Sequence, residues 1–199
     1  GPVLLEGSGP TIPPVHAEKT VLVVGADEDI DDVTGYLGEY RLLLADLVLI
    51  SKADSLSPSS NNLRELKERI TLINPNIEYV VTSFRPEPEK SIEGKNVFLA
   101  STADDRQIDK MISYLEADYG CRVKGFSGKL SNREELRKDL DRRLKTSDIL
   151  LTEIKAASID LAAEYAENMG KEIVFLHNKP VYQGGTLESL DNAVLDLAH

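Results

Sequence analysis

The 199-residue chain has no tryptophan, one cysteine and three histidines. A lone cysteine forms no disulfide within the chain, which fits a reducing, cytoplasmic setting. At the start of a strand, Cys121 reads as a small apolar core residue and not as a nucleophile. Basic side chains are also scarce. Lys and Arg number 23 against 34 Asp and Glu, a formal charge of -11. A surface of that sign does not displace counterions from a nucleic acid. A phosphorylated small molecule remains compatible, because a single site can be locally positive on an acidic body. No run approaches the roughly 20 apolar residues that cross a bilayer; RLLLADLVLI is broken by Asp46. His16, His177 and His199 belong to no His/Cys/Asp cluster with metal-ligand spacing, and no Gly-x-Ser-x-Gly elbow occurs, so zinc and hydrolase chemistry lack support. His177 reads as a local structural residue. Two glutamines among many Glu, Lys and Ile lean toward a heat-adapted composition.

One further absence bears on mechanism. G-x-x-x-x-G-K-[ST] occurs nowhere: Gly94-Lys95, Gly128-Lys129 and Gly170-Lys171 lack both the earlier glycine and the following hydroxyl. Without that backbone cradle and its lysine there is no strong grip on the β- and γ-phosphates of a nucleotide. The chain also has no initiator Met, and Gly1-Pro2 reads as a cloning remnant. The expectation is that this is the later part of a longer polypeptide, whose missing amino-terminal region holds the phosphate loop.

What is present alternates short apolar runs with amphipathic segments, the pattern of βα units. Candidate strands are residues 3–5, 21–24, 47–50, 77–81, 97–100, 121–125, 149–153 and 173–176. Their continuous Val/Ile/Leu character suits strands covered on both faces. Helical stripes include Val33, Tyr36, Leu37, Tyr40 and Leu44, with the tyrosine pair read as core, and Leu63, Leu66, Ile70 and Ile73. Asp104 and Asn132 are expected N-caps, and Gly120 and Gly170 are expected after helix ends. RPEPEKSIEGK, residues 85–95, reads as a linker. The predicted fold is therefore α/β, mostly parallel sheets with helices on both faces. Residues 1–94 are expected to form an incomplete P-loop-type nucleotide-binding domain and residues 95–199 a smaller α/β domain for a substrate anion or an interaction.

Strand exits carry the candidate chemistry, because loops at the carboxyl ends of parallel strands line the ligand crevice. In VLLEGSGPTIPP, Glu6 follows an apolar run and precedes Gly7 and Gly9. An acid beside glycines that admit a close backbone suits Mg2+ next to a phosphate; a tight turn with Glu6 facing water is the alternative. LVLISKAD sends a strand into Ser51-Lys52-Ala53-Asp54, which resembles the base-reading Asn/Thr-Lys-x-Asp loop of P-loop GTPases, with Ser in the first position. A helix-capping turn is the alternative there. Ser83 and Arg85, after IEYVV, occupy the next such exit; Arg85 either faces the nucleotide or belongs to the linker. CRVKGFSGKLSNREEL gathers Arg122, Lys124, Lys129 and Arg133 around glycines, either an anion site or a turn with helix ion pairs. His177-Asn178-Lys179-Pro180 reads as one more polar strand exit.

On LLEGSGPTIPP, VLVVGADEDIDDVTGYLGEYRLLLADLVLISKAD and TSFRPEP, the chain resembles the cyclic 2,3-diphosphoglycerate synthetases of methanogenic archaea, and more loosely on VKGFSGKLSNREELRKDL and TEIKAASIDLAAEYA. The likeness covers the carboxyl-terminal part of that longer protein. The E-G-[SA]-G exit is also similar to dethiobiotin synthetases. The resemblance implies an ATP- and Mg2+-dependent ligase that closes 2,3-diphosphoglycerate into a cyclic phosphoanhydride with release of ADP and phosphate. It implies Glu6 as the catalytic and metal-side acid, Gly7 and Gly9 for backbone approach, and Ser51, Lys52, Asp54, Ser83 and Arg85 around the nucleotide. Arg122, Lys124 and Lys129 are the guess for the substrate anion. An Asp reader suits guanine better than adenine, which leaves ATP and GTP both open. A second copy of the chain is a candidate partner; nucleic acid and membrane are not. The alternatives are a nucleotide-binding or oligomerisation module without turnover, and a carboxylate-activating ligase of the dethiobiotin type.

Overall fold

The computed structural model describes residues 3–7, 12, 15–54, 61–154 and 157–197. Along it run β1 (Val21–Gly25), α1 (Ile30–Thr34), α2 (Tyr36–Leu44), β2 (Leu47–Ser51), α3 (Asn62–Ile73), β3 (Glu78–Pro88), β4 (Asn96–Ala100), α4 (Asp105–Tyr119), β5 (Arg122–Ser127), α5 (Arg133–Arg143), β6 (Ile149–Glu153), α6 (Ile159–Asn168), β7 (Glu172–Gly185) and α7 (Leu190–Leu197). The α/β class with a mostly parallel sheet is what the apolar runs led one to expect. The chain divides into two compact units, residues 1–84 with 180–199, and residues 85–179; Gly94 lies inside the second.

In the first unit β1, β2 and β3 pair in parallel. Side chains alternate across a strand, and β2 shows why its apolar run is unbroken. Val48 and Ile50 join Val33, Leu42, Leu66 and Ile70 from the helices on one face, while Leu47 and Leu49 pack with Val80 and α7 on the other. β3 also meets the end of β7 in antiparallel fashion: Thr186 N donates to Tyr79 O at 2.9 Å, and Tyr79 N donates to Thr186 Oγ1 at 2.9 Å.

In the second unit the order is β7-β6-β4-β5, all parallel. Phe98 and Leu150 face α5 and α6, whereas Val97, Leu99, Ile149 and Leu151 face α4. Each fully buried side chain of this kind contributes about 1.5–3 kcal/mol. From β4 the chain moves to β5, then returns across β4 to β6. The exits of β4 and β6 therefore diverge, the topological switch point at which open sheets form a crevice. Asp104 and Asn132 cap α4 and α5 as expected, the former in a full capping box. Gly120 and Gly170 take positive φ after their helices.

Four expectations are corrected. Residues 3–5 form no strand: Val3, Leu4 and Leu5 are 83%, 93% and 56% exposed and belong to none of the seven strands of the sheet. Residues 85–95 are no open linker, since β3 runs to Pro88 and Ile92 is fully buried. Tyr36 and Tyr40 are exposed rather than core, because the helix breaks at Gly35 and α2 turns Leu42 inward instead. His177-Asn178-Lys179-Pro180 lies within β7, not at its exit. There His177 Nε2 meets Glu89 Oε1 at 2.7 Å and Lys179 Nζ meets Glu87 Oε1 at 3.0 Å, so polar side-chain pairs sustain a stretch that apolar periodicity does not mark.

Candidate functional site

The exits of β1 and β2 lie side by side in the first unit, next to the Val81–Ser83 stretch of β3. Ala26 N donates to Ser51 O at 2.8 Å, and Ala53 N donates to Thr82 O at 3.0 Å. Each bond continues the ladder one step past a strand and fixes the next loop. The Ser51 hydroxyl donates to Val24 O at 3.1 Å, and the fully buried Ser83 hydroxyl accepts from Gln183 Nε2 at 3.0 Å. Ser51 thus ties the β2 exit to β1, and Ser83 ties β3 to β7. In the loop that leaves β2, Lys52 is exposed and Asp54 half-buried.

Lys52 is the one described non-glycine residue with positive φ, at 57°. A side chain there costs on the order of 1 kcal/mol against the following carbonyl. Its ammonium lies 3.5 Å from Asp27 Oδ2, with the two side chains 47% and 33% exposed. An ion pair that open returns roughly 0.2–1 kcal/mol, so pair and strain nearly cancel. Lysine here does little for stability, and such an outlier at a strand exit points to function. The β1 exit is equally constrained. Gly25 N donates to Glu28 Oε1 at 3.1 Å, and Asn62 Nδ2 donates to Ala26 O at 2.7 Å and Glu28 O at 3.2 Å. A Cβ at Gly25 would stand 2.7 Å from Asp27 Oδ1, so glycine leaves room for that carboxylate to fold back. Asp27 was not singled out by the sequence; its signal was a polar residue two places beyond a strand end.

None of the other expected residues stands in the loops that leave β1 and β2. Glu6 and Gly7 are exposed in a segment without regular structure, not at the end of a paired strand; Gly9 lies outside the described residues. Arg85 belongs to the second unit, where its guanidinium lies 5.8 Å from the Tyr114 ring centroid. Arg122 opens β5 and Lys129 follows its end, about 17 Å along a strand of this length. Arg122 and Lys124 are exposed at the opening of an edge strand, where charge blocks further pairing; they do not form one cluster with Lys129. Arg133 Nη1 is taken by Asp160 Oδ1 at 2.7 Å, a bond that holds the Asp160 carboxyl below the usual range.

A second set of exits, unmarked by any motif, lies at the β4–β6 switch point. Glu153 accepts from the fully buried Ser101 Oγ at 2.9 Å, from Thr102 N at 3.2 Å and from Thr102 Oγ1 at 2.9 Å. Beside it Ser127 Oγ donates to Asp139 Oδ2 at 2.7 Å. Among the described residues no group of three or more His, Cys, Asp or Glu could hold a metal ion, and no helix is long and apolar enough to cross a membrane.

Residues 2–83 match the family described as cyclic 2,3-diphosphoglycerate synthetase, P-loop domain, and residues 88–179 the family described as cyclic 2,3-diphosphoglycerate synthetase C-terminal domain. Proteins named cyclic 2,3-diphosphoglycerate synthetase are similar along nearly the whole chain. That of Methanothermobacter thermautotrophicus is 40% identical over 98% of this chain and 42% of its own length. That of Methanothermus fervidus is 36% identical over the same shares, and that of Rubrobacter xylanophilus 37% identical over 100% and 43%. The chain thus spans about 42% of the length of such relatives. A solved arylmalonate decarboxylase is similar at a TM-score of 0.34 and 14% identity, covering 76% of this chain and 70% of its own, below the level that implies a shared fold.

Proposed function

The chain belongs to the cyclic 2,3-diphosphoglycerate synthetase family, and on that premise we propose that it forms part of an ATP- and Mg2+-dependent ligase acting on 2,3-diphosphoglycerate. ATP phosphorylates one phosphate of the substrate. The neighbouring phosphate then attacks the new phosphoanhydride and displaces orthophosphate, leaving the ring, ADP and phosphate. Both reacting groups are anionic, so the step needs positive charge and exclusion of water.

The observation that carries this reading is the pair of parallel exits, of β1 and β2, clamped by the Ala26–Ser51 and Ala53–Thr82 bonds, with Lys52 and Asp54 in the loop that leaves β2. In this reading the Lys52 stem covers the purine and the Asp54 carboxylate accepts from its amino group, while Ser51 ties the β2 exit to β1 and Ser83 ties β3 to β7. Mg2+ takes few protein ligands beside nucleotide phosphates; Glu6, exposed in a segment without regular structure, is assigned to it in this reading on the family resemblance alone. The lack of G-x-x-x-x-G-K-[ST] in residues 1–199 favours a second reading, in which these residues bind nucleotide without turning it over.

The test is phosphate release by the full-length protein supplied with ATP and 2,3-diphosphoglycerate. Release that depends on both supports the synthetase reading, and its absence with ATP still bound supports the second. Glu6→Gln is expected to cut turnover about 100-fold, the scale of one lost transition-state contact; an unchanged rate removes Glu6 from the mechanism.

A further inference from the structure

The Lys52 backbone is imposed from both sides. Before it, Ser51 is tied to β1 through Val24 O and Ala26 N; after it, Ala53 N is tied to Thr82 O. Its ammonium then reaches the β1 exit, where Asp27 sits in a loop fixed by Gly25, Glu28 and Asn62. We propose that Asp27 is a positioning residue, which holds the Lys52 ammonium across the gap between the β1 and β2 exits and so presents the aliphatic stem of that lysine to the purine of a nucleoside triphosphate. The proposal rests on the nucleotide reading above and adds the residue that makes Lys52 a contact for the base and not for the phosphates.

The chemistry favours this division of labour. A free lysine ammonium is a mobile point charge that migrates to the nearest phosphate. With its head on Asp27, the charge is balanced locally and the four-carbon stem spans the gap as an apolar strip. An apolar strip suits the face of a purine, and the pre-set geometry lowers the ordering cost of binding. A fixed carboxylate at 3.5 Å also disfavours any phosphate at the Lys52 head. The β-phosphate therefore lies away from this pair.

Full-length protein is titrated with ATP and with GTP by calorimetry, as wild type and as Asp27→Asn, Asp27→Ala, Asp27→Glu, Lys52→Ala and the Asp27→Ala/Lys52→Ala double variant. Asp27→Asn keeps the side-chain shape and serves if Asp27→Ala does not fold. Removing the Asp27 charge is expected to weaken binding of the preferred nucleotide about 3- to 5-fold, the scale of one open ion pair. Asp27→Glu is expected to recover most of that loss, and the double variant to bind no more weakly than Lys52→Ala alone. Wild type that binds nucleotide while Asp27→Asn and Asp27→Ala bind equally well overturns the positioning role and leaves the nucleotide reading standing. Losses that add in the double variant also overturn it, because Asp27 then acts without Lys52. Wild type that binds neither ATP nor GTP removes both.

Discussion

Lys52 Nζ and Asp27 Oδ2, 3.5 Å apart, join the loops that leave two neighbouring parallel strands, and the lysine holds a backbone angle of φ 57° to make the contact. Stability gives no reason for the arrangement, since the pair is open to solvent and the angle is costly for any side chain. Lys52→Gly and Lys52→Ala both delete the pair, but only glycine relieves the strain. Lys52→Gly is expected to be about 1 kcal/mol more stable than Lys52→Ala, a gap of roughly 2–4 °C in unfolding midpoint for a chain of this size. Both are expected to bind nucleotide equally poorly. Equal midpoints would mean that the left-handed angle carries no strain.

Glu153 at the end of β6 satisfies donors at the exit of β4, one of them the fully buried Ser101 hydroxyl. Glu153→Ala leaves those donors without their acceptor and is expected to cost about 1–3 kcal/mol. Denaturant unfolding measures it. Glu153→Gln, which keeps one acceptor oxygen, is expected to lose less.

Asp148 accepts from the backbone and side-chain nitrogens of Asn96 at 2.9 and 3.0 Å, and the backbone bond is the first cause holding its carboxyl below the usual range. A depressed native pKa adds stability above the unfolded value of about 3.9. That stability is lost as pH falls through the native pKa. Asp148→Asn is therefore expected to unfold at lower temperature than wild type at neutral pH. The gap is expected to close as pH is lowered from about 5 toward about 2. A gap that persists in acid would assign the difference to packing.

Cys121 is buried, with its thiol against Leu115 O at 3.5 Å, and burial pushes its pKa up. Only the thiolate reacts with disulfide reagents. Labelling with a chromogenic disulfide at neutral pH is expected to be slow in the native protein and complete after unfolding in denaturant. Rapid native labelling would place the thiol at the surface.

The central strands were legible because each has both faces covered. Residues 47–50 and 149–153 are apolar runs flanked by turn signals, and they appear as Leu47–Ser51 and Ile149–Glu153. Caps were legible for the same local reason: Asp104 and Asn132 act within one turn of themselves. The antiparallel extensions of β3 and β7 were not, because charged pairs such as Glu87–Lys179 support them and prolines disguise them. Of the candidate site, the Ser51-Lys52-Ala53-Asp54 exit was legible from its position after a strand. Asp27 and Glu153 were not, because each matters through a partner at least 25 residues away that only the sheet brings close. Glu6 illustrates the converse: an exit motif was read where no strand forms.

The most direct test is nitrogen-15 chemical-shift mapping of the 199-residue chain titrated with ATP and Mg2+. The account predicts that the largest amide shifts cluster at residues 25–28, 51–54 and 82–84, and that Lys52→Ala removes them. Shifts confined to residues 101–103, 127–130 and 153 would move nucleotide binding to the second unit, contradicting the account.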